Sequence, residues 1–574
     1  MAISHPIVAE IARGVYCINE FGMDSLFLIV GDSRALLIDT GTATFDLPAL
    51  IGCLTPLPVD VALTHGHMDH AGGMGWFHRV HLHPADFHLA RSITLTMRRD
   101  YTRLIRRIAG GFFDVDALNV RDFPRQPELL PLGEGDCFDL GGVHVDVYET
   151  PGHTPGGLSY LVREQRLLIT GDACNPNTLL FPFLPDGRRA PHASAEGLMS
   201  TARKLQCLSS LADRIYNGHT GFAADISFLP IPAELPREIE GLCRQLIDGT
   251  AQWQEGGQMG LNTSVWAPHG RICFDPQHNN RTHHSFRRRY LMAISHPIVA
   301  EIARGVYCIN EFGMDSLFLI TGTERALLVD TGTGVFDLPA FLKTLTPLPV
   351  DVALTHGHVD HAGGMGCFDR VYLHPADFTG ALSVTPETRR DFAGQILQMA
   401  GGIFACTPDD VRIYETRPEL LPLKEGDVFD LGGVHVDVYE TPGHTPGGLS
   451  FLIREERILL SGDACNPNTL LFPFLPDGSR APHASLEGLE ATARKIQALS
   501  PLYDRNYNGH IGFGGEIAFL PLPESLPQEV ADLCRDLISG KATWEAGGQM
   551  GLSAVGRFPH GRVCFDPAHC REGQ

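Results

Sequence analysis

The stretch THGHMDHAGG occupies residues 64–73 and recurs as THGHVDHAGG at residues 355–364. The apolar run VDVAL before it is typical of a buried strand, and the glycines after it favour a turn. Side chains at such a strand end lie where α/β folds usually build their sites. Imidazole and carboxylate ligands without thiolates suit zinc, with iron and manganese as alternatives. The ligands predicted in the first stretch are His65, His67, Asp69 and His70.

The chain of 574 residues is one module written twice. The segment from Met1 to Ile29 recurs letter for letter from Met292 to Ile320, and the same offset of 291 holds through TPGHTPGG, GDACNPN and FDP. Such a period is far too long for a solenoid repeat, and each copy is large enough to bury its own core. We predict domains at 1–278 and 292–574, joined by a solvated linker at 279–291. Each domain should carry its own site, and the two could pair as an intramolecular pseudo-dimer.

Further potential ligands follow in order along each copy, each beside a glycine at the end of an apolar run. They lie in the motifs PGH, GD and NGH. A single histidine in such a place is usually structural, but the ordered series HxHxDH, PGH, GD, GH is typical of a metal site. Both copies keep every ligand, which argues against a binding protein or scaffold with eroded ligands. The remaining ligands are His153, Asp172 and His219, and those of the second copy are His356, His358, Asp360, His361, His444, Asp463 and His510.

This series resembles the metallo-β-lactamase fold superfamily over nearly all of each copy. The resemblance implies an α/β fold, with two tandem αββα sandwiches and a pair of divalent ions at one edge of each. It also implies that Asp39 and Asp330, in LLIDTG and LLVDTG, fix a turn and a ligand imidazole from behind. Capping of the turn is a compatible reading. The resemblance assigns one ion to His65, His67 and His153, the other to Asp69, His70 and His219, and both to Asp172, with the matching residues in the second copy.

The carboxylate at Asp172 separates the branches of that superfamily. True β-lactamases carry a cysteine or lack a bridging carboxylate there, and the flavodiiron branch uses another first motif and a flavin domain. The glyoxalase II, lactonase, acyl-thioesterase and phosphodiesterase branches share the full ligand set. Glyoxalase II itself fits poorly, because the C-terminal part of each copy lacks an obvious basic glutathione-binding pattern.

Two ions roughly 3.5 to 4 Å apart can bridge a water and lower its pKa from about 15.7 towards 7. We therefore expect a hydrolase that cleaves a carboxylic ester, lactone or thioester by attack of the bridging hydroxide. Asp69 and Asp360 would orient the hydroxide and relay its proton. A phosphodiesterase with the same metal pair is the alternative. Cys174, near Asp172, has no base except histidines assigned to metal, so packing is expected for it rather than a nucleophilic role.

The loop after Asp172, which reads GDACNPNTLLFPFLPDGRRAPHAS, is predicted to form a substrate wall. Its Arg189 could meet a carboxylate or phosphate on the substrate, although an exposed turn arginine is an equal alternative. Tyr216 could donate to an oxyanion, with core packing as the alternative. The predicted pocket residues are Phe181, Arg189, His192, Tyr216, Phe472, Arg480, His483 and Tyr507.

The segment from Phe87 to about Asp114 has helical periodicity and is a candidate lid between strands. Its arginines at 103, 106 and 107 become Gly394, Leu397 and Gln398 in the second copy. We expect the two sites to share their chemistry but to differ in substrate preference or lid mobility. Neutral drift on a surface helix is the alternative.

The net charge of -22, from 45 Lys+Arg against 67 Asp+Glu, argues against nucleic acid as a partner. No run reaches the roughly 18 to 20 apolar residues of a membrane span, and the N-terminus lacks a signal-peptide pattern. The cysteines do not repeat as a disulfide framework. We therefore predict a cytoplasmic protein, away from membranes, that acts on a small-molecule substrate.

Overall fold

A computed structural model gives the architecture of the chain, which divides into two compact units at 2–293 and 294–574. Each unit folds as mixed α/β. The predicted linker at 279–291 lies outside the described residues, so the domain boundaries remain predictions. The structure describes residues 3–123, 125–180, 195–223, 226–255, 261, 263–274, 294, 296–415, 417–472, 484–514, 517–548 and 552–568.

The elements of the first unit follow the alternation that the sequence predicts. Apolar runs such as SLFLIV and ALLI are buried along nearly their whole length, which indicates strands covered on both faces. In chain order the elements are β1 (Ile7–Ala12), β2 (Val15–Asn19), β3 (Ser25–Val30), β4 (Ala35–Ile38), α1 (Leu47–Leu54), β5 (Val59–Ala62), α2 (Met68–Ala71), β6 (Arg79–Leu82), α3 (Phe87–Arg91), α4 (Leu95–Ile108), β7 (Glu128–Pro131), β8 (Cys137–Asp139), β9 (His144–Glu149), β10 (Leu158–Val162), β11 (Leu167–Ile169), β12 (Asn177–Leu179), α5 (Ala195–Leu208), β13 (Arg214–Tyr216), α6 (Leu235–Ile247), β14 (Gln254–Glu255), β15 (Thr263–Trp266) and β16 (Arg271–Phe274).

The second unit repeats these elements in the same order. Its elements are β17 (Ile298–Ala303), β18 (Val306–Asn310), β19 (Ser316–Thr321), β20 (Ala326–Val329), α7 (Leu338–Leu345), β21 (Val350–Ala353), α8 (Val359–Ala362), β22 (Arg370–Leu373), α9 (Phe378–Ser383), α10 (Pro386–Met399), β23 (Glu419–Pro422), β24 (Val428–Asp430), β25 (His435–Glu440), β26 (Leu449–Ile453), β27 (Ile458–Gly462), β28 (Asn468–Leu470), α11 (Leu486–Ala498), β29 (Arg505–Asn508), α12 (Leu526–Ile538), β30 (Glu545–Ala546), β31 (Ala554–Phe558) and β32 (Gly561–Phe565).

Three sheets form the first unit: a seven-stranded sheet in the order β1-β2-β3-β4-β5-β6-β7, a five-stranded sheet β13-β11-β10-β9-β8, and a small sheet β12-β16-β15-β14. Strands β1 to β4 pair antiparallel, whereas β4 to β7 pair parallel. Parallel neighbours end at the same edge of a sheet, so the loops after β4 and β5 begin side by side. Asp39 and His65 lie in those two loops.

The two large sheets face each other across a core. The ring of Phe27 on β3 lies 6.2 Å from the ring of Tyr216 on β13, and the Tyr160 hydroxyl donates to the Leu63 carbonyl at 2.6 Å. Leucines of β10 and β11 pack with buried residues of α5 and α6 on the other face of the five-stranded sheet. The predicted pair of tandem α/β sandwiches is thereby confirmed.

The predicted helical insertion lies between β6 and β7 as α3 and α4. Helix α4 begins after Thr94, whose side chain accepts a hydrogen bond from the Met97 amide. It buries Arg98, Tyr101 and Ile105 against the unit. Packing of these buried side chains therefore fixes which face of helix α4 lies against the unit.

Among the described residues, no helix combines the length and the apolar character that crossing a bilayer requires. All described cysteines are free thiols, as the sequence predicts for a chain without a disulfide framework.

Candidate metal centre

Three predicted ligands of the first copy meet through their ring nitrogens. His65 Nε2 lies 3.1 Å from His67 Nδ1, and His153 Nε2 lies 2.9 Å from the same atom. His65 and His67 follow β5, whereas His153 comes from the loop between β9 and β10. Two loops that are distant in sequence therefore present one cluster of three imidazoles.

A second group lies beside the first, and Asp172 touches both. The short helix α2 carries Asp69 and His70, and His219 follows β13. Asp172 Oδ2 lies 3.2 Å from His219 Nε2 and 3.5 Å from His153 Nε2. Its Oδ1 lies 3.7 Å from His70 Nε2. The Asp172 carboxylate thus stands between the two groups of imidazoles.

The second copy repeats this geometry. His356 Nε2 and His444 Nε2 lie 3.1 Å and 2.9 Å from His358 Nδ1. Asp463 Oδ2 lies 3.1 Å from His510 Nε2 and 3.5 Å from His444 Nε2. The structure brings together all seven predicted ligands of this copy: His356, His358, Asp360, His361, His444, Asp463 and His510.

Asp39 lies behind the predicted ligands of the first copy and fixes them by hydrogen bonds. Its carboxylate accepts hydrogen bonds from the Thr64 amide at 2.7 Å and hydroxyl at 2.8 Å, and from His70 Nδ1 at 2.9 Å. Its backbone is left-handed, with φ of 64°, a conformation that costs of order 1–3 kcal/mol in a residue other than glycine. Asp330 makes the same contacts to Thr355 and His361 with φ of 65°.

Glycine is required where the chain passes the ligands. A Cβ added at Gly218 would lie 2.6 Å from His70 Cε1 and 2.9 Å from Asp172 Oδ1. Any larger residue there would displace one of these two side chains. The NGH motif therefore supplies the ligand His219, and its glycine lets the chain pass close to His70 and Asp172.

Burial and neighbouring charges divide the site electrostatically. Burial and the nearby His153 lower the pKa of His67 to about 3, so this imidazole is neutral near pH 7. Although burial alone would lower it, the Asp172 carboxylate raises the pKa of His219 to about 9. Asp172 is itself buried, yet His219 and His70 hold its pKa well below the usual range. One side of the site thus presents neutral imidazoles, whereas on the other side a protonated imidazole lies against carboxylates.

These residues fit a divalent metal. His70 donates its Nδ1 hydrogen to Asp39, and its Nε2 lies 3.7 Å from the Asp172 carboxylate; Nε2 is buried and has no hydrogen-bond partner among the described residues. His361 Nε2 is in the same position. A buried polar atom left without a partner costs about 1–3 kcal/mol, which a bound ion would offset. Neutral imidazoles whose other nitrogen is bonded to a carboxylate are typical zinc ligands.

Sequence reasoning missed three residues that support the ligands: Asp24, Asn175 and Asp86. Asp24 is fully buried, with Oδ1 3.4 Å from His70 Nδ1, so a second carboxylate lies behind that imidazole. Asn175 donates to Asp172 Oδ1 at 3.1 Å and fixes the central carboxylate.

The Asp86 carboxylate joins two ligand loops. It accepts the amide of Gly66 at 2.9 Å, within HxHxDH, and the amide of Gly156 at 2.8 Å, just after PGH. Asp377 makes the same bonds in the second copy. The repeated motif HPAD, at 83–86 and 374–377, was the available signal, since an acidic residue in the turn after a strand in both copies suggests a role.

The predicted pocket residues are only partly placed. Tyr216 and Tyr507 lie in the core with no exposed surface, packed against Phe27 and Phe318, so their predicted contact with substrate is corrected to core packing. The ring of Phe472 lies 6.1 Å from that of His358, beside the ligands. The other predicted pocket residues, Phe181, Arg189, His192, Arg480 and His483, lie outside the described residues.

The cysteine beside the centre is structural. Cys174 is fully buried in the cluster formed with α5 and α6, and burial raises its pKa to about 12. Cys465 is buried in the same way. A thiol in this state is a poor nucleophile.

Comparison with known proteins agrees with this geometry. The sequence model of the Metallo-beta-lactamase superfamily matches residues 20–219 and 311–503, so it finds both copies. The acyl-coenzyme A thioesterase MBLAC2 of Gallus gallus is 29% identical over 190 residues, which are 30% of this chain and 66% of that protein. A probable metallo-hydrolase of Streptococcus pyogenes serotype M6 is 23% identical over 206 residues, covering 35% of this chain and 81% of its own.

A solved structure also matches in part. It is a metallo-beta-lactamase family protein from Thermus thermophilus, 24% identical, with a TM-score of 0.30. The match covers 41% of this chain and 81% of that protein. The matched part of the present chain spans slightly less than two thirds of the thioesterase, so substrate and partners do not follow from that relative.

Proposed function

Because this chain belongs to the metallo-β-lactamase superfamily and is a metal-dependent hydrolase, we propose that each unit hydrolyses an acyl thioester at a pair of divalent ions. Zinc is the metal that neutral imidazoles and carboxylates favour, and the fold family usually holds it. The substrate is a small molecule.

One observation supports the paired centre most directly. The Asp172 carboxylate lies between two groups of ligands, with Oδ2 near His153 and His219 and Oδ1 near His70. A carboxylate with two oxygens can serve both groups at once. Asp463 has the same position in the second copy, so the same arrangement of candidate ligands supports a centre in each unit.

When bound, divalent ions polarise a carbonyl and lower the pKa of water. The protein supplies position and proton transfer. Asp69 is partly exposed, and although burial favours its neutral form, His70 and His219 keep its pKa below the ordinary value. It therefore remains a carboxylate that can orient a water and accept its proton, and Asp360 occupies the same place in the second copy. Because Cys174 is buried, it cannot form an acyl intermediate.

The choice of thioester rests on the relatives. The relative MBLAC2 is an acyl-coenzyme A thioesterase, and its match covers 30% of this chain. The net charge of -22 disfavours a polyanionic nucleic-acid substrate. Lactones and other carboxylic esters react by the same acyl transfer, so they are the nearest alternatives within this proposal.

The test uses the full chain and a panel of acyl thioesters, lactones and phosphodiesters. Each of Asp172→Ala and Asp463→Ala should leave hydrolysis by the other unit, and the double variant should lose thioester hydrolysis. Asp60→Asn, a surface change in the ion pair with Arg34, should have no effect. Activity confined to phosphodiesters, or full activity in the double variant, would overturn the proposal.

A further inference from the structure

Among the buried positions at which the two units differ, one on the inserted helix lies beside a predicted metal ligand. Residue 101 on α4 is tyrosine, and the corresponding residue on α10 is Phe392. Each side chain is 8% exposed, so the difference between them is one buried hydroxyl group.

In the first unit, the Tyr101 hydroxyl donates to the Met23 carbonyl at 3.2 Å. The Asp69 carboxylate lies near enough to the same hydroxyl to interact with it, and together with burial it raises the pKa of the phenol, which therefore stays protonated. The inserted helix is in this way joined both to the loop before β3 and to a predicted ligand.

In the second unit, the corresponding carbonyl, that of Met314, has another partner. Phe392 has no hydroxyl, and the Met314 carbonyl lies 3.2 Å from His510 Nδ1. In the first unit, His219 Nδ1 is buried and has no hydrogen-bond partner within the described part of the chain. The loops that supply the two carbonyls belong to the letter-for-letter repeat, so the loop sequence does not cause the difference.

We propose that Tyr101 is a positioning residue that makes the two metal centres unequal, because its hydroxyl occupies the carbonyl that orients the ligand imidazole in the other centre. A partner for the non-coordinating N–H fixes the ring of a ligand histidine and raises its basicity, and loss of such a partner typically costs 10–100-fold in metal affinity. His510 has this partner, whereas His219 does not. The first centre should therefore hold its more weakly bound ion about tenfold less tightly than the second. This inference rests on the two-ion centre of the proposed function.

The experiment swaps the hydroxyl between the units of the full chain. Asp463→Ala combined with His358→Ala and His510→Ala removes ligands of both ions in the second centre and so isolates the first. Asp172→Ala combined with His67→Ala and His219→Ala isolates the second centre in the same way. Zinc affinity is measured by competition with a chromogenic chelator. Tyr101→Phe should raise the affinity of the first centre for its weaker ion about tenfold, because the Met23 carbonyl becomes available to His219. Phe392→Tyr should lower that of the second centre about tenfold.

Tyr160→Phe is the matched control. Its hydroxyl is also buried and also donates to a backbone carbonyl, that of Leu63 at 2.6 Å, and the second copy carries Phe451 at this position. This control should leave zinc affinity within about twofold of the parent, since the hydroxyl contacts no ligand. Thermal unfolding of the metal-free variants verifies that each one folds.

The possible results separate this inference from the proposed function. If each isolated centre binds two ions but Tyr101→Phe leaves zinc affinity unchanged, the role of Tyr101 is overturned and the two-ion centre still holds. An isolated centre that binds fewer than two ions would overturn both. The Tyr101→Phe result stands alone if Phe392→Tyr fails to fold.

Discussion

Asp39→Asn tests how the ligand imidazole is held. The carboxylate accepts the Thr64 amide on Oδ1 and His70 Nδ1 on Oδ2. Asparagine tolerates the left-handed backbone, so the change exchanges one acceptor for a donor without adding strain. Whichever way the amide is turned, its NH2 group faces another donor.

The cost follows from the tautomer of His70. If the NH2 group faces Nδ1, the imidazole must accept there and carry its hydrogen on Nε2, the atom that lies 3.7 Å from Asp172. That tautomer has no lone pair for a metal. Loss of such supporting contacts typically lowers metal affinity 10–100-fold, or about 1.4–2.7 kcal/mol.

The assay is zinc competition with a chelator on the full chain carrying Asp463→Ala, His358→Ala and His510→Ala, so that only the first centre is read. Asp330→Asn, measured with Asp172→Ala, His67→Ala and His219→Ala, should give the same loss, because Asp330 bonds the Thr355 amide at 2.7 Å and His361 at 3.0 Å. Asp60→Asn is the control for the same chemical change on the surface. A zinc affinity of Asp39→Asn within about twofold of its parent would refute the reasoning.

The remaining predictions concern the bonds between the ligand loops, the proton on His219 and the close packing at Gly218. Asp86→Ala should destabilise the first unit by about 2–6 kcal/mol in thermal unfolding, because it leaves two buried amides without an acceptor. Metal-free His219 keeps a proton up to its pKa of about 9, and metal must displace that proton, so apparent zinc affinity should rise about tenfold per pH unit between pH 6 and 9. Gly218→Ala should abolish tight binding in the first centre, whereas Gly52→Ala, where the added methyl meets nothing within 4 Å, should not.

Each of these has a result that contradicts it. Unchanged unfolding of Asp86→Ala would mean that the two ligand loops do not depend on its carboxylate. Zinc affinity that is flat from pH 6 to 9 would exclude a proton on His219. Equal zinc affinity in the two glycine variants would show that the chain can move away from His70.

The fold could be predicted from the sequence, and candidate ligands could be selected, because both have strong local signals. Apolar runs ending in HxHxDH, PGH, GD and NGH mark strands and turns together, and an exact repeat fixes the division into two units. Such patterns depend on neighbours in the chain, which a sequence displays directly.

Other features depend on contacts between distant segments. Asp24 lies in an identical repeat where nothing distinguishes it, yet folding brings it behind His70, forty-six positions later in the chain. Tyr101 is one of several differences on the inserted helix, and the loss of three arginine charges is the more conspicuous difference in the sequence. Tyr216 stands three positions before a ligand in sequence but lies in the core, because β13 is buried along its whole length.

The most direct test of the two-ion hydrolase is to titrate the metal-free full chain with zinc while following acyl-thioester hydrolysis. Activity should be absent without metal and should reach its plateau at about four ions per chain, two for each unit. Full hydrolysis by the metal-free protein, or a plateau at about two ions per chain, would contradict paired ions in both units.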